Sequence, residues 1–238
     1  MRMTVAMALA AATLPVPALA AEVQIGVQGP VVEMTVNEVV RSAPDTATVG
    51  AGVSTRAPTA TAAMQQNAAA MDKVIARLRA LGIARDDIQT ASISLSPQYQ
   101  YNNDNMPPRF LGYEASNQVS VILHDLDRVG GTLDALVSAG ATNINGPSFS
   151  LDKDEAARAT ARKNAFQRAQ SEAMEFARLA GFSGLRLLEV SEAFTGRGPV
   201  PYAADAVMVT AQRVAKTPVE PGQVGTGVNL TVKYEMTR

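Results

Sequence analysis

The chain has no cysteine, no tryptophan, one histidine and only 5% aromatic residues among its 238. Without thiols it cannot form disulfides, thiolate nucleophiles, redox dithiols or sulfur ligands for zinc and iron–sulfur clusters. With one imidazole, a zinc site would have to be built mainly from carboxylates, an uncommon donor set. The histidine is His124, with Asp125 beside it. Adjacent residues on a strand point to opposite faces, so this pair does not supply a Ser-His-Asp relay. No G-x-S-x-G nucleophile elbow occurs. Gly130-Gly131 and Gly196-Arg197-Gly198 have neither the P-loop nor the dinucleotide-binding spacing. Few aromatics means few platforms for stacking bases or sugars. A formal net charge of −1 argues against nucleic acid and anionic membranes as partners. These absences together predict a protein that is not an enzyme, with no catalytic, cofactor-binding or metal-binding residues.

The N-terminus reads as an export signal. Arg2 is the only charge in the first twenty residues, and Met3 to Leu14 is small and mostly apolar. Pro15 and Pro17 break the run, and Ala18-Leu19-Ala20 supplies an A-x-A end. Basic start, short apolar core and small-residue end are the order of a cleaved secretory signal. The run is too short for the ~20 residues of a spanning helix. The expectation is a signal at residues 1–20, cleaved after Ala20, and no lipid anchor, since no Cys follows. Residues 21–238 would form the mature domain, in one piece or as two sub-lobes near 31–140 and 141–238. The compartment would permit disulfides, and this chain uses none.

Periodicity then gives the elements. Val31 to Val40 and Thr46 to Thr55 alternate around the turn signal Ser42-Ala43-Pro44-Asp45, which predicts a hairpin. A helix capped by Thr59 runs to about Leu81 with Met64, Ala68, Met71, Ile75 and Leu78 as its apolar stripe, and Gly82 stops it. Asp87 to Tyr101 and Tyr113 to Leu123 form a second hairpin around a polar loop at Asn102 to Pro108. A short helix after Asp125 ends at Gly140, and a strand follows from Asn143 to Leu151. Asp152 or Asp154 then caps the longest helix, whose stripe is Ala159, Phe166, Ala169, Ala173, Phe176 and Ala180. Leu185 to Val190 and Val224 to Met236 close the chain as strands. Between them, Phe194 to Gly222 is a long Pro- and Gly-rich stretch of the kind used as an interaction arm, with a short element expected at Ala203 to Val214. The order β-β-α-β-β-α-β-α-β-β, with one apolar stripe per helix, predicts an α+β fold: hairpins alternating with amphipathic helices, and a mixed or antiparallel sheet covered by helices.

The acidic run Asp152-Lys153-Asp154-Glu155 lacks the alternating ligands and glycine of a calcium loop. Acids at a helix start are explained by the free N–H groups there. Asp86-Asp87 fits a solvated turn. Asn229-Leu230-Thr231 matches a glycosylation pattern but lies in a predicted strand. Met106 and Met208 fall in predicted loops, open to oxidants.

Several motifs resemble the SIMPL-domain family. They are Ser42-Ala43-Pro44-Asp45-Thr46-Ala47-Thr48-Val49, Asp87-Ile88-Gln89-Thr90 leading into Leu95-Ser96-Pro97-Gln98-Tyr99, and Gly112-Tyr113-Glu114-Ala115-Ser116-Asn117. Thr217-Pro218-Val219-Glu220-Pro221-Gly222 is the most specific. The resemblance spans about Val31 to Met236. It implies an α+β fold, a periplasmic or outer-membrane-associated place, and for some members immunogenicity, oxidative-stress defence or large homo-oligomers. The family brings no catalytic motif. The expectation is a non-enzymatic periplasmic envelope protein that self-associates and contributes indirectly to oxidative or envelope stress defence. The alternative is a periplasmic binding module for a small hydrophobic or peptide ligand.

Overall fold

The computed structural model describes residues 26–101, 107–193 and 217–238. The expected signal at 1–20, the arm at Phe194 to Gly222 up to residue 216 with its element at Ala203 to Val214, Gly196 to Gly198, Met106 and Met208 lie outside them. The elements are β1 (Val31–Ser42), β2 (Thr46–Ala57), α1 (Ala60–Ala80), β3 (Ile88–Gln100), β4 (Arg109–Leu123), α2 (Val129–Ser138), β5 (Asn143–Ser150), α3 (Glu155–Leu179), β6 (Gly184–Ala193) and β7 (Val224–Thr237). Their order is the one the periodicity predicts, and the fold is α+β.

The strands sort into two antiparallel sheets, β1-β7-β6 and β3-β4-β2-β5. One expected pairing is corrected. β3 and β4 form a hairpin, but β1 and β2 do not pair with each other. β1 pairs with β7 from Val31↔Glu235 through Ser42↔Val224, while β2 lies between β4 and β5. The Ser42–Asp45 turn instead passes the chain from one sheet to the other. Asp45 donates its N–H to Ser150 O at 3.1 Å and accepts from Asp152 N at 2.7 Å. Thr46 Oγ1 adds a bond to Ser150 O at 3.0 Å. The β1–β2 crossing is thereby clasped to the β5–α3 crossing. The chain crosses back before β7, where Thr217 Oγ1 donates to Asp134 Oδ1 on α2 at 2.7 Å. Gly130 on α2 makes this approach feasible, because a β-carbon there would overlap the Thr217 carbonyl oxygen. Val219 packs against the core beneath.

The helices stop where the sequence predicts, and α1 also starts there, whereas α2, expected directly after Asp125, begins at Val129 behind a 3-10 turn at Leu126–Arg128. Thr59 Oγ1 accepts from Ala62 N at 3.2 Å, the expected N-cap. α1 ends in a Schellman motif: Gly82 N bonds Arg79 O at 2.9 Å and Ile83 N bonds Leu78 O at 3.2 Å. Gly82 takes φ of 85°, which a glycine adopts without a β-carbon clash. α2 and α3 close with the same two bonds at Gly140 and Gly181. Asp154 occupies the N-cap position of α3, but its side chain makes no cap bond; it pairs with Arg158 instead.

Both helical stripes sit rotated from the expected ones. On α1 the buried residues are Ala63, Asn67, Met71, Val74 and Leu78, while Met64 is exposed. Asn67 Nδ2 donates to Val53 O at 3.0 Å and Ala115 O at 2.9 Å, so a polar residue occupies the core where hydrophobicity alone excludes it. On α3 the buried stripe is Ala161, Ala165, Ala169, Ala173 and Ala177, and Phe176 is exposed. Five alanines on one line let the α3 axis lie close to β1 and β7. There they meet Val36, Val228, Leu230, Val232 and Tyr234. The second core joins β2 and β4 to α1 and α2. Fully burying one of its side chains, such as Val74 or Leu78, contributes about 1.5–3 kcal/mol.

Candidate functional site

The one histidine stands in a shallow cleft of about 190 Å³, lined by Leu81, Ile83, Asp87, Leu123, His124 and Arg128. His124 Nε2 lies 3.3 Å from Asp87 Oδ1. Sequence reasoning set Asp125 aside as a partner and did not find Asp87, which the antiparallel pairing of β3 with β4 brings in from 37 residues away. Arg128 donates to Leu81 O at 3.0 Å, satisfying an open carbonyl at the end of α1. Thr132, the hydroxyl residue of the lining, donates to Arg128 O at 2.9 Å. The cleft therefore holds a His–Asp pair whose neighbouring hydroxyl is already engaged with the backbone, and no relay of three groups is assembled among the described residues. No cluster of three His, Asp or Glu that could hold a metal occurs among them. No described helix is long and apolar enough to cross a membrane.

Larger features lie where the helices leave strands uncovered. α1 packs on β2 and β4, so the inward-facing residues of edge strand β3 stand beyond it. Ile93, Leu95 and Tyr99 are exposed on that strand, with Phe110 and Leu111 beside them on β4. Tyr99, Phe110 and Tyr113 stack edge to face at 5.6 and 5.4 Å. The β3–β4 hairpin thus carries a rigid aromatic and aliphatic strip in solvent. On the other sheet, α3 packs on β1 and β7 and leaves edge strand β6 open. Leu187 and Val190 are exposed there, and a groove of about 480 Å³ runs between β6 and α3 over Phe166, Val190 and Leu230.

Three carboxylates are held ionised by paired groups. Arg56 and Ser54 hold Glu114 below the usual carboxylate range. Arg162, bidentate at 2.7 and 2.9 Å, does the same for Glu192 across the rim of the groove. Arg186 leads for Glu235, joined by the N–H groups of Gln28 and Gly29 at 2.6 Å each. Glu235 lies on the face of β7 away from α3, and its side chain is only 5% exposed beneath the segment preceding β1. All three serve to join elements, and none points into the His124 cleft.

The SIMPL family model, described as a protein of unknown function (DUF541), matches residues 32–234. The chain belongs to this family. It is 30% identical over 225 residues to the 26 kDa periplasmic immunogenic protein of Brucella melitensis, covering 92% of this chain and 90% of that one. The Brucella abortus protein of the same name matches equally. An uncharacterized protein of Escherichia coli K12, YggE, is 29% identical over 167 residues, covering 70% of this chain and 67% of that one. The SIMPL motifs fall on joints of the fold. Asp45 clasps the two crossings, and Thr217 ties the last strand to α2. In the Gly112–Asn117 run, Tyr113 stacks on Phe110, Glu114 binds Arg56, and Ala115 receives the Asn67 amide.

Proposed function

We propose that the mature SIMPL protein works in the periplasm as a non-enzymatic envelope protein that associates with copies of itself and contributes indirectly to oxidative or envelope stress defence. One observation carries the self-association: the apolar strip on the β3–β4 hairpin, which its own helix does not cover. Contiguous exposed apolar surface of this kind marks an interaction site, and β3 also presents a sheet edge with no partner strand among the described residues. The periplasmic assignment is supported by the export signal and by the names of the Brucella relatives. The stress role is indirect because a chain without cysteine or tryptophan, and with one histidine, has few groups that could destroy an oxidant catalytically.

Light scattering on the mature protein tests the assembly, and a strict monomer at high concentration overturns it. Fractionation of cells tests the place; recovery in the cytosol overturns it, and recovery with outer-membrane fragments supports peripheral attachment. A deletion strain challenged with peroxide and with detergent tests the stress role. Survival equal to the parent under both removes it.

A second reading is a periplasmic binding module for a small hydrophobic or peptide ligand. The α3–β6 groove favours it, since ligand sites are largely apolar clefts of roughly 300–1,000 Å³ with a few polar groups.

A further inference from the structure

The geometry points to the α3–β6 groove as a site that captures an extended segment of another polypeptide by strand addition to β6. This deepens the binding-module reading and rests on it. β6 is an edge strand, paired among the described residues with β7 alone. Alternate N–H and C=O groups of an edge strand point away from its sheet and await a partner. The groove opens beside that edge, with α3 as its second wall. A strand laid antiparallel or parallel to β6 would satisfy those backbone groups. It would also turn every second side chain toward α3, into the space over Phe166 and Val190. Leu187 and Val190, both about half exposed, already lie on that face, opposite Tyr234 and Val232 of β7.

Charge fixes the occupant further. Arg162 is consumed by its bidentate bond to Glu192. Lys163, one residue on, also lines the groove and makes no ion pair among the described residues. The groove therefore carries one uncompensated positive charge over an apolar floor. The fitting partner is an extended segment with apolar side chains at alternate positions and a carboxylate, from a free C-terminus or an acidic residue, placed to reach Lys163. A compact apolar molecule would fill the floor but leave the backbone groups of β6 unanswered.

The test uses the mature protein and three probes read by fluorescence: a labelled octapeptide of alternating valine and threonine with a free C-terminal carboxylate, the same peptide methylated on alternate backbone nitrogens, and anilinonaphthalene sulfonate as a small apolar anion. The parent peptide is expected to bind, and methylation to weaken it by about tenfold or more, the loss of one or two net hydrogen bonds. Lys163→Glu and Val190→Ser should each weaken it, while Lys163→Arg keeps binding. Both positions are solvent-facing, and thermal melts check that the variants fold. Equal binding of the methylated peptide, or no effect of Lys163→Glu, overturns the proposal. If only the sulfonate binds, and Val190→Ser abolishes it, strand addition falls while the binding-module reading stands. If no probe binds, both fall. If Val190→Ser changes only the mass seen by light scattering, the occupant is a second copy and the proposal is overturned.

Discussion

Replacing Leu95, Tyr99 and Phe110 together with threonine should dissolve the self-association without unfolding the chain. Threonine keeps strand propensity, so the hairpin is preserved while its apolar strip is lost. The three side chains are 42%, 45% and 46% exposed. Fully burying such a side chain is worth about 1.5–3 kcal/mol, so covering the remaining near-half is worth about 1 kcal/mol each. The triple change then removes about 3 kcal/mol per contact, roughly a hundredfold in the association constant at 1.4 kcal/mol per decade. The Tyr99–Phe110 and Phe110–Tyr113 edge contacts go as well, at about 0.5–1.5 kcal/mol each in folding stability, so a melt must accompany the measurement. Sedimentation velocity over a range of concentrations reads the association. The control is Val31→Thr with Val39→Thr on β1, which removes a smaller amount of similarly exposed apolar surface (45% and 49%) from the other sheet. The reasoning fails if the triple variant assembles like the parent, or if the control dissociates as readily.

Three further outcomes are expected. Asn67→Ala should lower stability by about 2–3 kcal/mol, since it removes two bonds to the buried carbonyls of Val53 and Ala115, and urea denaturation reads it; a loss near zero would mean those carbonyls do not depend on the amide. Ala169→Leu should destabilise by about 1–3 kcal/mol by forcing α3 off β1 and β7, whereas Phe176→Leu on the exposed side should change little. Glu235 has its carboxyl held below the ordinary range by Arg186, Gln28 and Gly29, so its contribution is present above that range and lost as pH falls through the depressed value. Hydrogen exchange at the amides of Gln28 and Gly29 should quicken on acidification beyond its intrinsic pH dependence, and in Glu235→Gln that excess should vanish.

The element order was legible because it depends on local period. β2 shows Ala47, Val49, Ala51 and Val53 on one face, and all four are buried. β7 shows Val228, Leu230, Val232 and Tyr234, and these too are buried. Helix ends were legible because glycine at the residue after the cap is a local steric requirement. Strand partners were legible only for the β3–β4 hairpin. Alternation says which face of β1 is apolar, yet nothing in Val31 to Ser42 names β7 as its neighbour, nearly two hundred residues away. A short polar turn between two alternating runs is the usual hairpin signal, and here it marks a crossing between sheets. The stripe errors have a different cause. Met64 and Phe176 outrank Asn67 and Ala177 on any hydrophobic scale, but burial followed hydrogen-bond fit in one case and closeness of approach in the other. The His124–Asp87 pair lies at the end of the predicted β3–β4 hairpin, but it needed the register of that hairpin, which alternation does not give.

Both candidate surfaces follow from one mismatch of widths. A helix with its side chains is about 10–12 Å across, and strands in a sheet lie about 4.8 Å apart, so one helix covers about two strands. α3 sits on β1 and β7, and the third strand of that sheet, β6, is left with Leu187 and Val190 in solvent. α1 sits on β2 and β4, α2 joins the same core, and β3 is left with Ile93, Leu95 and Tyr99. A sequence under pressure only to stay monomeric would place charges at those positions, as edge strands commonly do. Here most of the uncovered positions are aliphatic or aromatic, with Glu192 the charge on β6, while the opposite face of the β1-β7-β6 sheet carries polar ladders such as Thr35 with Thr231 and Asn37 with Asn229. The two strips differ in what borders them. The β3–β4 strip is a projecting aromatic hairpin, suited to burial against an equivalent surface, whereas the β6 strip is recessed beside a helix whose Lys163 makes no ion pair among the described residues. That difference is why association is proposed for the first and capture of an extended chain for the second. It also makes the assignments separable, because Leu95→Thr and Val190→Ser act on different sheets and should change different readouts.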